Sequence, residues 1–205
     1  MSIEPLRVGG LTPLTTIDYP DSLSAVIFCQ GCPLRCRYCH NAELLPRQGE
    51  TRIAWRDILD FLRQRRGLLD AVVFSGGEPT QQLGLADAID EVRGLGFKIG
   101  LHTAGIYPHR LAALLERLDW VGLDIKTLPE DYPSLTGMRS SGELAWQSAR
   151  LLIDSGLPHE IRTTVHPQLL SETQQRALHD RLLELGARTH RWQACNSGRC
   201  LDATL

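Results

Sequence analysis

Short apolar segments alternate with amphipathic segments along most of this chain, and no other feature constrains its fold as strongly. The apolar segments predict strands, and the segments with helical periodicity predict the helices between them. Ser171 is a suitable first residue for the last helix, and Gly156 and Gly186 are typical of helix ends. The predicted strands cover 24–28, 71–75, 98–102, 120–125, 160–165 and 189–193, and the predicted helices cover 55–66, 83–95, 108–117, 143–155 and 171–185.

This alternation of six strands with helices predicts an α/β protein with a parallel sheet and helical crossovers. Six strands are too few for a closed eight-stranded barrel of about 250 residues, so an open partial barrel and a doubly wound sheet remain. In both architectures ligands bind beyond the carboxyl ends of the strands. We expect a single domain over residues 1–205, because no linker, repeat or low-complexity tract divides the sequence.

The charge and hydropathy of the chain argue against two classes of partner. The formal net charge is -2, which gives no bulk attraction to nucleic acid or to anionic lipid. No apolar run approaches the roughly 20 residues that span a bilayer. The first residues also lack the basic and apolar regions of a secretory signal. The sequence therefore predicts a cytoplasmic protein with neither nucleic acid nor a membrane as its partner.

Four of the six cysteines are crowded between positions 29 and 39, directly after the first predicted strand. Disulfides usually join distant segments, so this crowding indicates metal or redox chemistry instead. The C-x3-C-x2-C spacing of Cys32, Cys36 and Cys39 lets three thiolates on one loop converge on an iron-sulfur cluster. Three ligands for four irons leave one iron open to a bidentate small molecule.

A structural zinc site is the alternative for the same loop, with Cys29 as a fourth ligand. Zinc ribbons usually separate their two cysteine pairs by about 15–20 residues, and a gap of three residues strains a tetrahedral site. We therefore expect Cys29 to be a buried thiol at the end of the strand.

The remaining two cysteines, Cys195 and Cys200, form a C-x4-C pair near the end of the sequence. Two thiolates make an incomplete metal site, and no residue of the tail clearly completes it. We expect a redox-sensitive thiol pair or simple surface cysteines.

Polar and glycine residues follow the next strands. The segment 75–79, Ser-Gly-Gly-Glu-Pro, contains two glycines that allow a ligand to approach the backbone closely, although the same letters also suit a plain turn. Asp124 and Lys126 are two residues apart, so their side chains are predicted to share a face of the strand. Arg162, on the fifth strand, suits bidentate pairing with a carboxylate.

The cysteine spacing, with Tyr38 before the last cysteine, resembles the signature of the radical S-adenosylmethionine superfamily. The resemblance implies an open partial (β/α)6 barrel. It also implies that a [4Fe-4S] cluster held by Cys32, Cys36 and Cys39 cleaves S-adenosyl-L-methionine. Related activating enzymes carry Asp-Thr-Asn-Gly where this chain has His102-Thr103-Ala104-Gly105. The implied cofactor-binding residues are Tyr38, Ser75, Gly76, Gly77, Glu78, His102, Thr103, Asp124, Lys126 and Arg162.

Longer segments are similar to the activating proteins of anaerobic ribonucleoside-triphosphate reductases. They are 10–20 (Gly-Leu-Thr-Pro-Leu-Thr-Thr-Ile-Asp-Tyr-Pro), 39–41 (Cys-His-Asn) and 75–80, with 67–70 and 162–165. This resemblance implies a 5′-deoxyadenosyl radical that abstracts a glycine Cα hydrogen from the large subunit of the reductase. It also implies a low-potential electron donor such as flavodoxin or ferredoxin.

Three alternatives stay open at this point. The nearest is an activating enzyme for another glycyl radical enzyme, such as pyruvate formate-lyase. The second is a small-molecule radical enzyme, such as a deazaguanine-forming synthase. The third is a zinc-binding module without catalytic activity.

Overall fold

A seven-stranded sheet organises the molecule, and its strands lie side by side in the order of the sequence. The computed structural model describes residues 5–49, 53–196, 198 and 200–205. The strands are β1 (Val8–Thr15), β2 (Ser24–Cys29), β3 (Ala71–Gly76), β4 (Lys98–Thr103), β5 (Trp120–Asp124), β6 (His159–Val165) and β7 (His190–Ala194).

Strands β2 to β7 are parallel, and β1 pairs with β2 in the antiparallel direction. Because the order never reverses, right-handed crossovers place all connecting helices on one face of the sheet. A doubly wound sheet requires a reversal, so the open partial barrel is the correct alternative. The sheet is unclosed, with β1 and β7 at its edges. It is nevertheless strongly curved, since His40 after β2 lies 3.6 Å from Cys195 after β7.

The helices cover the outer face of the sheet and form the main hydrophobic core with it. On β5, for example, Val121 and Leu123 are fully buried in this core, whereas Trp120 and Asp124 lie on the inner face. This alternation follows from the period of two in a strand. The helices are α1 (Trp55–Gln64), α2 (Leu85–Gly94), α3 (Pro108–Leu114), α4 (Tyr132–Thr136), α5 (Ser141–Ser155) and α6 (Glu172–Leu185).

The helix ends that the sequence predicts are confirmed at α5 and α6. Gly156 and Gly186 follow these helices in the left-handed conformation, with φ of 70° and 98°. Such angles carry a steric penalty for residues with a Cβ, and glycine avoids it. Ser171 and Gln174 form a capping box at the start of α6.

Two elements were not predicted from the sequence. Strand β1 contains Gly9, Gly10 and Pro13, which are residues typical of turns. It forms because it lies at an edge of the sheet, where proline is tolerated. The short helix α4 was missed because it has only five residues. The six predicted strands are the six parallel strands β2 to β7, so the partial (β/α)6 barrel is confirmed, and β1 is an additional antiparallel strand.

The connection between β1 and β2 crosses the inner face of the sheet. Tyr19 is buried there against Val73 and Trp120, with a ring-centroid distance of 5.8 Å to Trp120. Gly100 makes room for it, since a Cβ at this position would lie 3.0 Å from the Tyr19 ring. The amino-terminal half of the inner face is therefore filled, and the carboxyl ends of the strands remain for a site. In the described part of the chain, no helix is long and apolar enough to cross a membrane.

Candidate active site

The cysteine loop leaves the carboxyl end of β2 and is held by backbone hydrogen bonds from two sides. The N–H of Cys32 donates to the carbonyl of Leu45 at 3.1 Å. The N–H groups of Arg35 and Arg37 donate to the carbonyls of Thr136 and Leu135, at 2.8 and 3.0 Å. Helix α4, which sequence reasoning missed, therefore supports the loop.

Cys32, Cys36 and Cys39 lie together in one apolar cluster with Tyr38, separate from the main core. Cys29 is fully buried in the main core instead, as predicted. The three loop sulfur atoms do not all lie within 4.8 Å of one another. A tetrahedral zinc ion, with Zn–S bonds of about 2.3 Å, holds its sulfur ligands about 3.8 Å apart. As they stand, the three sulfur atoms are too far apart to ligate one zinc ion together.

The environment of the thiols favours their protonated form when no metal centre is bound. Burial raises the pKa of Cys32 to about 12, and the nearby Glu78 adds to the rise. Burial also raises the pKa of Cys36, against the opposing effect of Lys126. Iron ligands must be thiolates, so assembly of a cluster here releases protons.

The Gly76-Gly77 segment lies directly against the start of the cysteine loop. The N–H of Gly77 donates to the carbonyl of Cys29 at 2.9 Å, and that of Glu78 donates to the carbonyl of Gly31 at 2.8 Å. A Cβ on Gly77 would lie 2.3 Å from the Gly31 oxygen, and Gly76 has a φ of 109°. Both glycines are therefore needed for two backbone segments to meet beside Cys32. Half-buried Ser75 lies just before them on β3.

The Glu78 side chain is fully buried and joins the ends of β3 and β4. Its Oε1 accepts hydrogen bonds from the N–H and hydroxyl of Thr80 and from the hydroxyl of Thr103, and its Oε2 accepts from the N–H of Ala104. Burial raises the pKa of Glu78, although these hydrogen bonds oppose the rise. Glu78 and Thr103, both predicted to bind the cofactor, thus have side chains committed to each other. Sequence reasoning missed Thr80, which had no signal beyond its place in the segment.

Three charged side chains meet at the carboxyl end of β5, where Asp124 pairs with Arg162 in the middle of β6. Nε and Nη2 of Arg162 donate to Oδ1 of Asp124, at 3.1 and 2.9 Å, and Nζ of Lys126 lies 3.7 Å from Oδ2. Burial by itself would raise the pKa of Asp124, but Arg162 and Lys126 lower it below its ordinary value. Burial also opposes the charge of Lys126, yet Tyr38, Cys36 and Asp124 hold its pKa well above the ordinary value. The two cations and the one carboxylate together have a net charge of +1.

The shared face predicted for Asp124 and Lys126 is therefore confirmed. The bidentate fork of Arg162 binds Asp124 within the protein, rather than being left free for an external carboxylate. Gly122 makes room for the fork, since a Cβ there would lie 2.9 Å from Cζ of Arg162. Tyr132, which sequence reasoning also missed, accepts the N–H of Lys126 at its hydroxyl, 2.8 Å away.

Tyr38 connects the charged group to the cysteine loop. Nζ of Lys126 lies 5.8 Å from the centroid of the Tyr38 ring. The Tyr38 hydroxyl is buried and has no hydrogen-bond partner among the described residues. A buried hydroxyl usually has a hydrogen-bond partner. The unpaired Tyr38 hydroxyl, on the same loop as the three thiols, therefore fits a site that binds a polar group.

His102 lies on the inner face and binds the connection between β1 and β2. Its Nε2 is 2.9 Å from the carbonyl of Asp18. The ring packs edge-on against Trp120 at 5.5 Å, and Nη1 of Arg162 approaches at 3.3 Å. Burial lowers the pKa of His102 to about 4, and Arg162 contributes. Its observed contacts make His102 a neutral support for Arg162 and for the connection.

Residues 26–180 match the Radical SAM superfamily. The chain belongs to this superfamily. As in the other members, its cofactors are S-adenosylmethionine and a [4Fe-4S] cluster. The spacing of the three thiols, the orphaned Tyr38 hydroxyl and the excess positive charge fit these two groups.

Two relatives of this radical SAM chain are named as activating enzymes. A protein of Methanocaldococcus jannaschii, named among the glycyl-radical enzyme activating enzymes, is 34% identical over 80% of this chain and 70% of its own length. The pyruvate formate-lyase-activating enzyme of Clostridium pasteurianum is 31% identical over 66% of this chain and 59% of its own length.

Solved structures confirm the fold of the radical SAM domain. SuiB of Streptococcus suis, solved with its precursor peptide SuiA, has a TM-score of 0.68 at 21% identity, covering 84% of this chain and 39% of SuiB. The same protein has been solved with S-adenosylmethionine bound. At this identity the likeness shows the shared fold alone.

Proposed function

We propose that this chain activates a glycyl-radical enzyme, and that its partner is the large subunit of an anaerobic ribonucleotide reductase. The observation that carries the proposal is the meeting of the three-cysteine loop with the charged group of Asp124, Lys126 and Arg162 at one rim of an unclosed sheet. The names of the two relatives support the activating role. The resemblance of segments 10–20, 39–41 and 75–80 supports the reductase as the partner.

Cys32, Cys36 and Cys39 would hold the cluster, and the strand ends around them would hold S-adenosylmethionine. When bound, these groups supply a one-electron cleavage of the cofactor that yields methionine and a carbon radical able to take a glycine Cα hydrogen. The electron would come from a low-potential donor such as flavodoxin or ferredoxin, in the cytoplasm.

The positive charge of the Asp124, Lys126 and Arg162 group would attract the carboxylate of the cofactor. The ion pairs within the group would hold the three side chains in place. Arg162 and Lys126 are only 11% and 12% exposed as side chains, so water screens them weakly. Asp124 holds both cations in place, and the excess positive charge remains for an anionic ligand. The backbone of Gly76 and Gly77, held against the cysteine loop, would offer polar groups to the same ligand without a side chain in the way.

A protein loop is the substrate class that this architecture favours. The sheet is unclosed, with free edges at β1 and β7. A small metabolite is better served by a site sealed from water. We therefore rank the activation of a protein above a small-molecule reaction.

Electron paramagnetic resonance tests the proposal directly. The reduced, cluster-loaded protein with S-adenosylmethionine should raise a glycyl doublet on the reductase subunit. A Gly→Ala variant of the partner's radical site should remove the doublet while 5′-deoxyadenosine still forms. Pyruvate formate-lyase, assayed under the same conditions, is the second candidate, since relatives in Clostridium pasteurianum and Streptococcus mutans are named as its activating enzymes. A doublet on the lyase alone would transfer the proposal to that partner. Turnover of a small heterocycle with neither protein labelled would refute the activating role.

A further inference from the structure

A third possible metal ligand lies beside the two tail cysteines. It is His40, which belongs to the cysteine loop but is not one of the proposed cluster ligands. The side chains of His40, Cys195 and Cys200 place their ligand atoms within 4.8 Å of one another. Within the part of the chain that the structure describes, this is the one group of three or more Cys, His, Asp or Glu side chains with such spacing. The sequence expectation of an incomplete pair of thiols considered tail residues alone and therefore missed His40.

We infer that His40, Cys195 and Cys200 form a second metal site, which binds a single Zn²⁺ ion. Zn–S bonds of about 2.3 Å and Zn–N bonds of about 2.0–2.1 Å at tetrahedral angles set ligand separations of about 3.8 Å for S···S and 3.6 Å for S···N. The observed separations are 3.9 Å between the Sγ atoms of Cys195 and Cys200, and 3.6 Å between Sγ of Cys195 and Nε2 of His40. Two of the three separations therefore match one tetrahedral ion, and the third, between His40 and Cys200, lies within 4.8 Å. Binding releases the two thiol protons to solvent, and water takes the fourth position.

The segment that carries the two tail cysteines is held in place by contacts that do not involve a metal. Cys195 follows β7 directly, and its N–H donates to the carbonyl of Val165 on β6 at 2.9 Å. Farther along the tail, the N–H of Asp202 donates to the carbonyl of Arg37, and Nε of Arg37 donates to Oδ2 of Asp202 at 2.8 Å. The tail is thus bound to β6 before Cys200 and to the cysteine loop after it. This prior ordering lowers the entropy that metal binding must overcome.

The site lies between two segments that follow opposite ends of the parallel part of the sheet. His40 follows the first parallel strand, β2, and Cys195 follows the last, β7, at the rim where the candidate active site lies. A zinc ion here would connect the two ends of the unclosed barrel. Since His40 is adjacent to Cys39, it would also fix the cysteine loop relative to the tail.

A disulfide between Cys195 and Cys200 is the alternative interpretation of the same pair of cysteines. Their sulfur atoms are 3.9 Å apart, whereas a disulfide bond measures about 2.05 Å. A disulfide also gives no role to His40. In a reducing compartment, two thiols and one imidazole at tetrahedral spacing favour zinc.

The test uses the full chain, purified anaerobically with its cluster loaded, and measures zinc and iron on the same sample. We expect about one zinc and about four irons per chain. Zinc-edge X-ray absorption should show two sulfur ligands at about 2.3 Å with nitrogen or oxygen completing the site. This measurement is specific for zinc, needs no variant, and separates the site from zinc bound by the three thiols of the cluster loop.

Variants then assign the ligands. Cys195→Ser/Cys200→Ser should lose at least nine-tenths of the zinc and keep about four irons. His40→Gln, a change at an exposed residue, should weaken zinc at least tenfold in competition with a chelator. Cys29→Ala, at a cysteine in the main core, should keep the zinc. The proposal fails if the wild type holds no zinc after exposure to Zn²⁺, or if zinc persists in the double variant. It also fails if iron above four is what the double variant loses, or if intact mass shows a Cys195–Cys200 disulfide under anaerobic conditions. None of these outcomes depends on the glycyl-radical partner.

Discussion

Arg162 on β6 donates two hydrogen bonds to a single oxygen of Asp124 on β5, from Nε at 3.1 Å and from Nη2 at 2.9 Å. The second oxygen of Asp124 remains directed toward Lys126. One carboxylate therefore orders two cations beside the cysteine loop. This relationship motivates the first prediction.

Arg162→Lys should lower the rate of 5′-deoxyadenosine formation at least tenfold and destabilise the fold by about 1–2 kcal/mol. A lysine keeps the charge but cannot reproduce two N–H donors from a planar fork. The measurements are product formation under reducing conditions and denaturant unfolding. Arg117→Lys is the matched control, because Arg117 also pairs with an aspartate, Asp90, and donates to the carbonyl of Ala113, but at the surface. It should change stability by less than about 0.5 kcal/mol. An equal loss in both variants would contradict the role given to Arg162.

Replacing Cys32, Cys36 or Cys39 by Ala should remove the cluster, because each is a proposed iron ligand in the same apolar group. Iron content and absorption near 400 nm measure the loss. Cys29→Ala should keep the iron while costing about 1–2 kcal/mol of stability, since it leaves a small cavity in the main core. If Cys29→Ala loses the cluster and Cys36→Ala retains it, the ligand assignment is wrong.

Gly77→Ala should destabilise the protein by at least about 2 kcal/mol and impair cluster assembly. The new methyl group would lie 2.3 Å from the Gly31 carbonyl oxygen, and that oxygen belongs to backbone that precedes Cys32. Gly94→Ala is the control, because a Cβ at this exposed end of α2 meets no atom within 4 Å. It should be neutral or stabilising by up to about 1 kcal/mol. Unfolding midpoints and iron content of the two variants decide the question, and a tolerated Gly77→Ala would show that the two backbone segments can separate.

His102 should make stability fall as the pH is lowered from about 6.5 to about 4. Burial, with a contribution from Arg162, depresses the pKa of His102 to about 4 in the folded protein. The unfolded chain binds the proton near pH 6.5 and the folded protein does not, so acid favours unfolding in this window. Between pH 7 and pH 4.5, the free energy of unfolding of His102→Gln should therefore fall by about 1–3 kcal/mol less than that of the wild type. The measurement is denaturant unfolding at both values, with the exposed His109→Gln as control. If the stability of His102→Gln falls with pH as steeply as that of the wild type, His102 is not the source of this pH dependence.

Much of this protein was predictable from local patterns. The alternation of apolar and amphipathic segments predicted six strands and the main helices, because buried strands and amphipathic helices leave distinct periodicities. Cys32, Cys36 and Cys39 were identified by their spacing on the loop after a strand. Asp124, Lys126 and Arg162 were identified on or beside neighbouring strands, whose carboxyl ends meet at one edge of a parallel sheet. Ser171, Gly156 and Gly186 marked helix ends through their own conformational preferences.

Tertiary structure decided the rest, since it depends on contacts between residues far apart in the sequence. The order of the strands, which separates a partial barrel from a doubly wound sheet, is a property of the whole sheet. Edge strand β1 carries turn-forming residues and exists only through its pairing with β2. The engagement of Arg162 by Asp124 and of Glu78 by Thr103 joins different strands. His40 and Cys195 are 155 residues apart in the sequence. No local spacing can predict such a pair, because it forms only when the sheet curves and brings its two ends together.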